Sequence, residues 1–132
     1  MYNGGIVLGG FEMELTKSEL EIMDVLWAYE RPLSRSDLLE SSQEKTWKDS
    51  SVHILLNGML QKGVIREAGF VKRSKTYGRT FEPTLTREQY YAATILERKN
   101  KPSVVGLIEA LLHHEKLTQE ELEQIKKLVN EL

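Results

Sequence analysis

The side chains best suited to chemistry in this sequence are cations and hydrogen-bonding groups between residues 45 and 79. Three positive charges fall within four consecutive residues, Lys72, Arg73, Ser74 and Lys75. Lysine and arginine side chains bind phosphate groups and release the counterions that those groups hold. This basic cluster therefore predicts contact with a polyanion.

A second set of candidate groups recurs at helical spacing over residues 49–62. The apolar residues of this segment form one narrow stripe, and the opposite face carries polar side chains together with Ile54. On that face Asn57 suits adenine, Ile54 suits a thymine methyl group, and His53 suits a guanine acceptor or a phosphate. The residues that we predict to contact DNA are Lys48, Ser50, Ser51, His53, Ile54, Asn57, Lys72, Arg73, Lys75 and Arg79.

Groups for catalysis and metal binding are scarce. The chain has no cysteine, which excludes disulfides, zinc ribbons, iron–sulfur sites and a cysteine nucleophile. His113, His114 and Glu115 are adjacent, so on a helix they point about 100° apart instead of sharing a face at i, i+4 spacing. We therefore expect no catalytic residue, no metal site, no cofactor and no enzyme.

The composition also limits where the protein acts. No stretch approaches the roughly 18 consecutive apolar residues of a membrane-spanning helix, and no basic region precedes Ile6 as in a signal peptide. We expect a cytoplasmic protein without membrane insertion. Residues 1–12 are glycine-rich and lack periodicity, which predicts a flexible leader.

The net charge of −2 hides an uneven distribution. Residues 12–44 carry nine acids against three bases, whereas residues 45–79 carry eight bases against two acids. Attraction to phosphate is local, and the total charge enters it only as a weak, screened term. The slightly acidic total is therefore compatible with a nucleic-acid partner for the basic segment.

One local pattern marks four helix starts. An apolar residue, a hydroxyl residue, two further positions, an acid or amide and a large apolar residue form a capping box with its apolar staple. The hydroxyl residues are Thr16, Ser34, Thr86 and Thr118. Gly63 predicts the end of the 49–62 helix, and Pro102 predicts the start of another helix.

Between Val64 and Pro83 the pattern changes to that of a β-hairpin with a polar turn. Three helices followed by a hairpin are typical of a winged helix-turn-helix. We predict a mainly α fold with a small β-hairpin, in which residues 13–85 form the winged-helix DNA-binding domain. Residues 86–132 are predicted to form a helical dimerisation domain.

The C-terminal helices are strongly amphipathic, and their segment is too short for a self-sufficient core. A second copy of the same unit is the simplest partner surface, so we predict a homodimer. The residues predicted to form its interface are Tyr90, Tyr91, Ile95, Leu107, Leu111, Leu112, Leu122, Ile125, Leu128 and Val129.

The ordered series of these motifs resembles the BlaI/MecI/CopY family of bacterial penicillinase-type repressors over almost all of residues 15–132. The resemblance implies a homodimer whose two winged helices bind a palindromic operator and repress transcription. The motifs that carry it are the segment from Leu15 to Trp27, Trp47, the segment from Val52 to Ile65, Phe81-Glu82-Pro83 and the segment from Leu117 to Ile125.

Departures from the family pattern concern regulation and specificity. The copper branch responds through a cysteine-rich tail, which this chain lacks. In the β-lactam branch a membrane sensor-protease system cleaves the C-terminal unit at an Asn-Phe pair, and Ala110-Leu111 stands there, which argues against that partner. Ile54 and Gly58 stand where members usually carry Thr and Arg, which predicts a different operator preference.

Three functions remain open from the sequence. A repressor would bind DNA through the third helix in the major groove and the basic hairpin on the flanking backbone. A winged helix without DNA binding would serve as a protein-interaction module, and a third possibility is a regulator that responds to a small ligand between the C-terminal helices. The basic segment favours the repressor.

Overall fold

The structure is a computed structural model that describes residues 14–42, 44–73 and 76–132. The predicted leader at residues 1–12, together with Ser74 and Lys75 of the basic cluster, lies outside the described residues. Of Arg73, Thr76 and Tyr77 only the backbone is described.

The elements follow the order predicted for a winged helix. Their bounds are α1 Lys17–Tyr29, β1 Leu33–Ser34, α2 Arg35–Ser41, a 3-10 turn Asp49–Ser51, α3 Val52–Lys62, β2 Ile65–Arg73, β3 Thr76–Pro83, α4 Arg87–Leu96, α5 Val104–Leu112 and α6 Gln119–Asn130. The mainly helical fold with a small β-hairpin is confirmed.

The four predicted capping boxes are present. Thr16, Ser34, Thr86 and Thr118 each accept a hydrogen bond from the amide three residues later, and the side chain there accepts from the cap's own amide. The predicted start at Pro102 is displaced, because Ser103 caps α5 by accepting from the Gly106 amide and the helix begins at Val104.

The sheet contains a short strand that the sequence did not indicate. β1 pairs with β3 through Leu33–Phe81 and Ser34–Thr80, which gives an antiparallel sheet in the order β1-β3-β2. The hairpin of β2 and β3, called the wing below, has a bulge between Glu67 and Gly69. Gly69 adopts a φ of +147°, which only glycine reaches without strain.

The hydrophobic core is built from α1, α2, α3, the sheet and α4. Ile22 and Leu26 of α1, Leu38 of α2, and Leu56 of α3 are almost fully buried in it. Its other fully buried side chains include Met23, Leu33, Val52, Met59, Val64 and Phe81. These residues fix the backbones from which the exposed side chains of α3 project.

The chain divides into two compact units, with the division between Lys99 and Asn100. The sequence predicts a domain boundary after residue 85, whereas the first compact unit includes α4, which places Tyr90 and Ala93 in its core. The second unit holds α5 and α6, in which no residue is buried. Among the described helices none is both long and apolar enough to cross a membrane.

Candidate nucleic-acid interface

The polar face predicted on the third helix is exposed as one continuous strip, which we call the recognition face. Its residues are Ser50, His53, Ile54, Asn57 and Gln61, and all five are exposed. The opposite side of α3 buries Val52, Leu56 and Met59. The core therefore orients α3 so that its polar strip meets solvent.

Ile54 lies in the middle of the recognition face. Its side chain is 76% exposed, although isoleucine is among the residues most often buried. Ser51, which the sequence placed among the contact residues, is half-buried and forms the N-cap of α3 without a side-chain hydrogen bond. Its hydroxyl is therefore less accessible than that of Ser50.

The loop before α3 is attached to α1. The Thr46 amide donates to Glu21 Oε1 at 2.9 Å, and the Thr46 hydroxyl donates to both carboxylate oxygens of Glu21. Trp47 is buried, with Lys45 Nζ 5.2 Å from the centre of its ring. These contacts fix the entry into α3 and leave Lys48 exposed directly before it.

A contact that the sequence did not indicate joins the recognition face to α2. Arg35, the first residue of α2, places its Nη1 atom 2.7 Å from His53 Nε2. The sequence signal nearest to this contact is the Ser34 capping box, because it places Arg35 in the exposed first turn of α2. The capping pattern alone does not say which side chain of α3 lies opposite.

Among the described side chains of the basic segment, four cations are paired with carboxylates. The pairs are Lys45–Asp49 at 2.8 Å, Lys62–Glu19 at 2.5 Å, Arg66–Glu82 at 2.7 Å and Arg79–Glu67 at 3.6 Å. The pairs of Lys45, Arg66 and Arg79 are at least partly exposed and therefore weak, whereas the pair of Lys62 holds the buried carboxylate of Glu19. Glu19 and Glu82, which lie outside residues 45–79, thus offset part of the positive charge of this segment.

The wing exposes Lys72, which the sequence assigned to phosphate contact, and it exposes Phe70 as well. Phe70 is 69% exposed and lies across the ladder from Arg79, whose guanidinium contacts the ring of Phe81 at 5.2 Å. The sequence did not single out Phe70, because the bulge after Glu67 shifts the alternation that decides which face a strand residue occupies.

Comparison with known proteins identifies the family of this chain. The model of the penicillinase repressor family matches residues 15–131. The chain belongs to the penicillinase repressor family. This membership supports a DNA-binding transcriptional repressor and agrees with the resemblance stated above.

One curated relative has no assigned function. It is an uncharacterized 16.5 kDa protein in the ptsI 3′ region of Latilactobacillus sakei, 29% identical over 122 residues, which cover 88% of this chain and 78% of the relative. The functional assignment therefore depends on the family.

Gly58, one of the two departures noted on the third helix, lies on the side of α3 that faces α1. A β-carbon at this position would lie 3.3 Å from Glu19 Oε2. Glu19 is buried, accepts from the Thr16 amide at 2.9 Å and pairs with Lys62 Nζ. The glycine thus permits close approach of α1 and α3, and Gly58 lies away from the recognition face to which the altered operator preference was ascribed.

Tyr90 does not lie on a free surface. It is 3% exposed, its hydroxyl accepts from the Leu15 amide at 3.2 Å, and its ring lies 5.9 Å from that of Trp27. Loss of hydration on burial raises the pKa of the Tyr90 hydroxyl. The expected role of Tyr90 in a dimer interface is at odds with this position in the core of its own chain.

The other residues predicted for the dimer interface keep accessible surface. Tyr91, Leu111, Leu128 and Val129 are exposed. The remaining members are half-buried, namely Ile95, Leu107, Leu112, Leu122 and Ile125. In the part of the chain that the structure describes, the apolar side chains of α5 and α6 are therefore at most half-buried.

The adjacent histidines after α5 bond to their own backbone. His113 Nδ1 lies 2.9 Å from the Glu109 carbonyl oxygen, and His114 Nδ1 accepts from the Lys116 amide at 3.1 Å. Among the described residues, no cluster of three or more His, Asp or Glu side chains is arranged to hold a metal ion.

Proposed function

We propose that this member of the penicillinase repressor family represses transcription as a homodimer on a palindromic operator. In this proposal α3 lies in the major groove and the wing lies on the flanking backbone. The observation that carries it is the recognition face, on which Ile54 is exposed between polar side chains of the types that can hydrogen-bond base edges.

Contacts in the proposed complex fall into two classes. His53, Ile54 and Asn57 point away from the core and are assigned to base recognition. Lys48 and Lys72 are exposed at the start of α3 and on the wing, and are assigned to phosphates together with Arg73 and Lys75. Arg79 joins the second class only after its ion pair with Glu67 opens.

The homodimer is supported by the second unit. Neither helix of this unit has a buried residue. Large apolar side chains are exposed instead, namely those of Val105, Ile108, Leu111, Leu128 and Val129. We assign dimerisation to α5 and α6 and DNA binding to the first unit. Two copies related by a two-fold axis would recognise half-sites about 34–36 Å apart or at a multiple of that distance.

Selection from random genomic fragments by the full-length protein tests the proposal. We expect a palindromic site whose affinity falls steeply between two salt concentrations. If no fragment binds in a salt-sensitive manner, the winged helix is a protein-interaction module instead. A bound site without two-fold symmetry would contradict the homodimer.

Two substitutions separate base recognition from phosphate contact. Asn57→Ala should relax the preference at one base pair by about 1–3 kcal/mol, whereas Lys48→Ala should weaken all sequences alike and lower the salt slope by about one. Equal loss on every sequence from Asn57→Ala would remove Asn57 from base recognition.

A further inference from the structure

The contact between Arg35 and His53 fixes which ring nitrogen of the histidine carries a proton. Arginine only donates hydrogen bonds, so His53 Nε2 accepts at 2.7 Å from the guanidinium. The proton of the neutral ring is then on Nδ1. The partner of one imidazole nitrogen sets the role of the other nitrogen.

Both residues project from backbones that the core holds in place. Ser34 is buried, pairs with Thr80 in the sheet, and caps α2 directly before Arg35. Val52, directly before His53, is 1% exposed. The side-chain contact therefore joins two anchored points, one on each helix of the helix-turn-helix.

Stability gives little reason for this contact. Both side chains are exposed, and an exposed polar contact contributes little because ordering a long arginine side chain costs entropy. Its position gives a better reason, because His53 belongs to the recognition face. In the major groove, purine N7 and guanine O6 are acceptors that an imidazole N–H can reach.

We propose that Arg35 is a positioning residue that holds His53 with Nδ1–H as the donor to a purine acceptor in the major groove. This inference rests on the proposed function. Arg35 acts through His53, so the base preference that His53 provides depends on Arg35.

The first test needs no DNA. Long-range ¹H–¹⁵N spectra of the imidazoles, recorded on the full chain at a pH where histidine is neutral, report which nitrogen is protonated. Two internal references are present, because His113 Nδ1 donates to the Glu109 carbonyl and His114 Nδ1 accepts from the Lys116 amide. His53 should match His113.

Substitution then isolates the contact. Arg35→Ala should remove the Nδ1–H pattern of His53 and leave the patterns of His113 and His114 unchanged. The positioning role is overturned if His53 keeps its pattern in Arg35→Ala, or if it shows the pattern of His114 in the wild type.

The second test measures coupling on the selected DNA site. Arg35→Ala and His53→Ala should each reduce the preference for the same base pair, by about tenfold, and the double variant should lose no more than either single variant. Arg31→Ala is the matched control, because Arg31 is also exposed and its guanidinium pairs with Asp37 at 3.8 Å. It should leave the base preference unchanged.

Other outcomes identify which proposal fails. If Arg35→Ala weakens binding to all sequences alike and its effect adds to that of His53→Ala, Arg35 contacts a phosphate. The positioning role is then overturned. Absence of salt-sensitive binding by the wild type overturns the proposed function and the base-recognition role together. If the wild type selects a palindromic DNA site and the losses from Arg35→Ala and His53→Ala add in the double variant, only the positioning role of Arg35 is overturned.

Discussion

The two compact units use similar amphipathic helices in different ways. In the first unit α1, α3 and α4 turn their apolar sides into one core, with Ile22, Met59 and Tyr90 among the buried residues. In the second unit α5 and α6 bury no residue, and Leu128 is 65% exposed. The periodic pattern therefore shows that a helix needs a partner surface and leaves open whether that surface belongs to the same chain.

If the two units are stabilised independently, substitutions in their apolar residues should affect the unfolding of the first unit very differently. Phe81→Ala should lower the free energy of unfolding by about 3–5 kcal/mol, because it leaves a cavity beneath the sheet. Leu128→Ala should change it by less than about 0.5 kcal/mol. Urea titrations followed by tryptophan fluorescence measure the first unit, which holds both Trp27 and Trp47. Equal shifts from the two substitutions would contradict independent units.

The charged contact inside the first unit should matter more than those on its surface. Lys62→Met leaves the Glu19 carboxylate, which is 5% exposed, without its cation, and should cost about 2 kcal/mol because Lys62 itself is partly exposed. Arg66→Met removes an exposed pair and should cost no more than about 0.5 kcal/mol. If the urea titration gives equal losses of stability for Lys62→Met and Arg66→Met, the Glu19 carboxylate is hydrated and not buried.

The proposed partner of the second unit is another copy of it. Leu128→Glu introduces a charge into the apolar stripe of α6 and should weaken self-association at least about tenfold. Asn130→Glu changes the charge equally on another side of the helix and should have little effect. Sedimentation over a dilution series compares them. A wild-type mass near 15.2 kDa at micromolar concentration would contradict the dimer.

Tyr90 joins α4 to the core of the first unit. Tyr90→Phe leaves the Leu15 amide without its acceptor and should cost about 1 kcal/mol near neutral pH. Because burial raises the pKa of Tyr90 above its ordinary value of 10.0, the unfolded chain loses this proton first. The stability that the protonated Tyr90 hydroxyl contributes is thus complete below pH 10.0. It is lost as the pH rises through the raised pKa of Tyr90 in the folded chain.

Unfolding measured from pH 8 upward checks this dependence. The difference in stability between the wild type and Tyr90→Phe should shrink above pH 10.0. Tyr91→Phe is the control, since Tyr91 is exposed on the same helix. A difference that grows with pH would reverse the sign and contradict the burial of the hydroxyl.

Local patterns predicted much of this fold, because capping boxes, helix ends and the hairpin are set by neighbours in sequence. Those patterns placed Thr16, Ser34, Thr86 and Thr118 correctly at helix starts. They also predicted the exposed strip of α3, since the apolar stripe opposite it fixes which side meets the core.

Features that depend on distant contacts were missed or misplaced. Tyr90 fits either a dimer interface or a core by its spacing, and only its approach to Leu15 and Trp27 decides between them. Likewise, the contact of Arg35 with His53 depends on the angle between two helices. The exposure of Phe70 depends on a bulge that the alternation of β2 does not reveal.

The two-residue strand β1 has a consequence for DNA shape. Leu33 and Ser34 pair with Phe81 and Thr80 of the wing, and Ser34 also caps α2, so one segment joins the wing to the helix-turn-helix. Backbone hydrogen bonds therefore hold the wing to the start of α2, and the core that α2 shares with α3 limits the separation between α3 and the wing. In the proposed complex, DNA whose groove width departs from that separation must deform to touch both, and the energy of that deformation depends on base pairs that no side chain contacts.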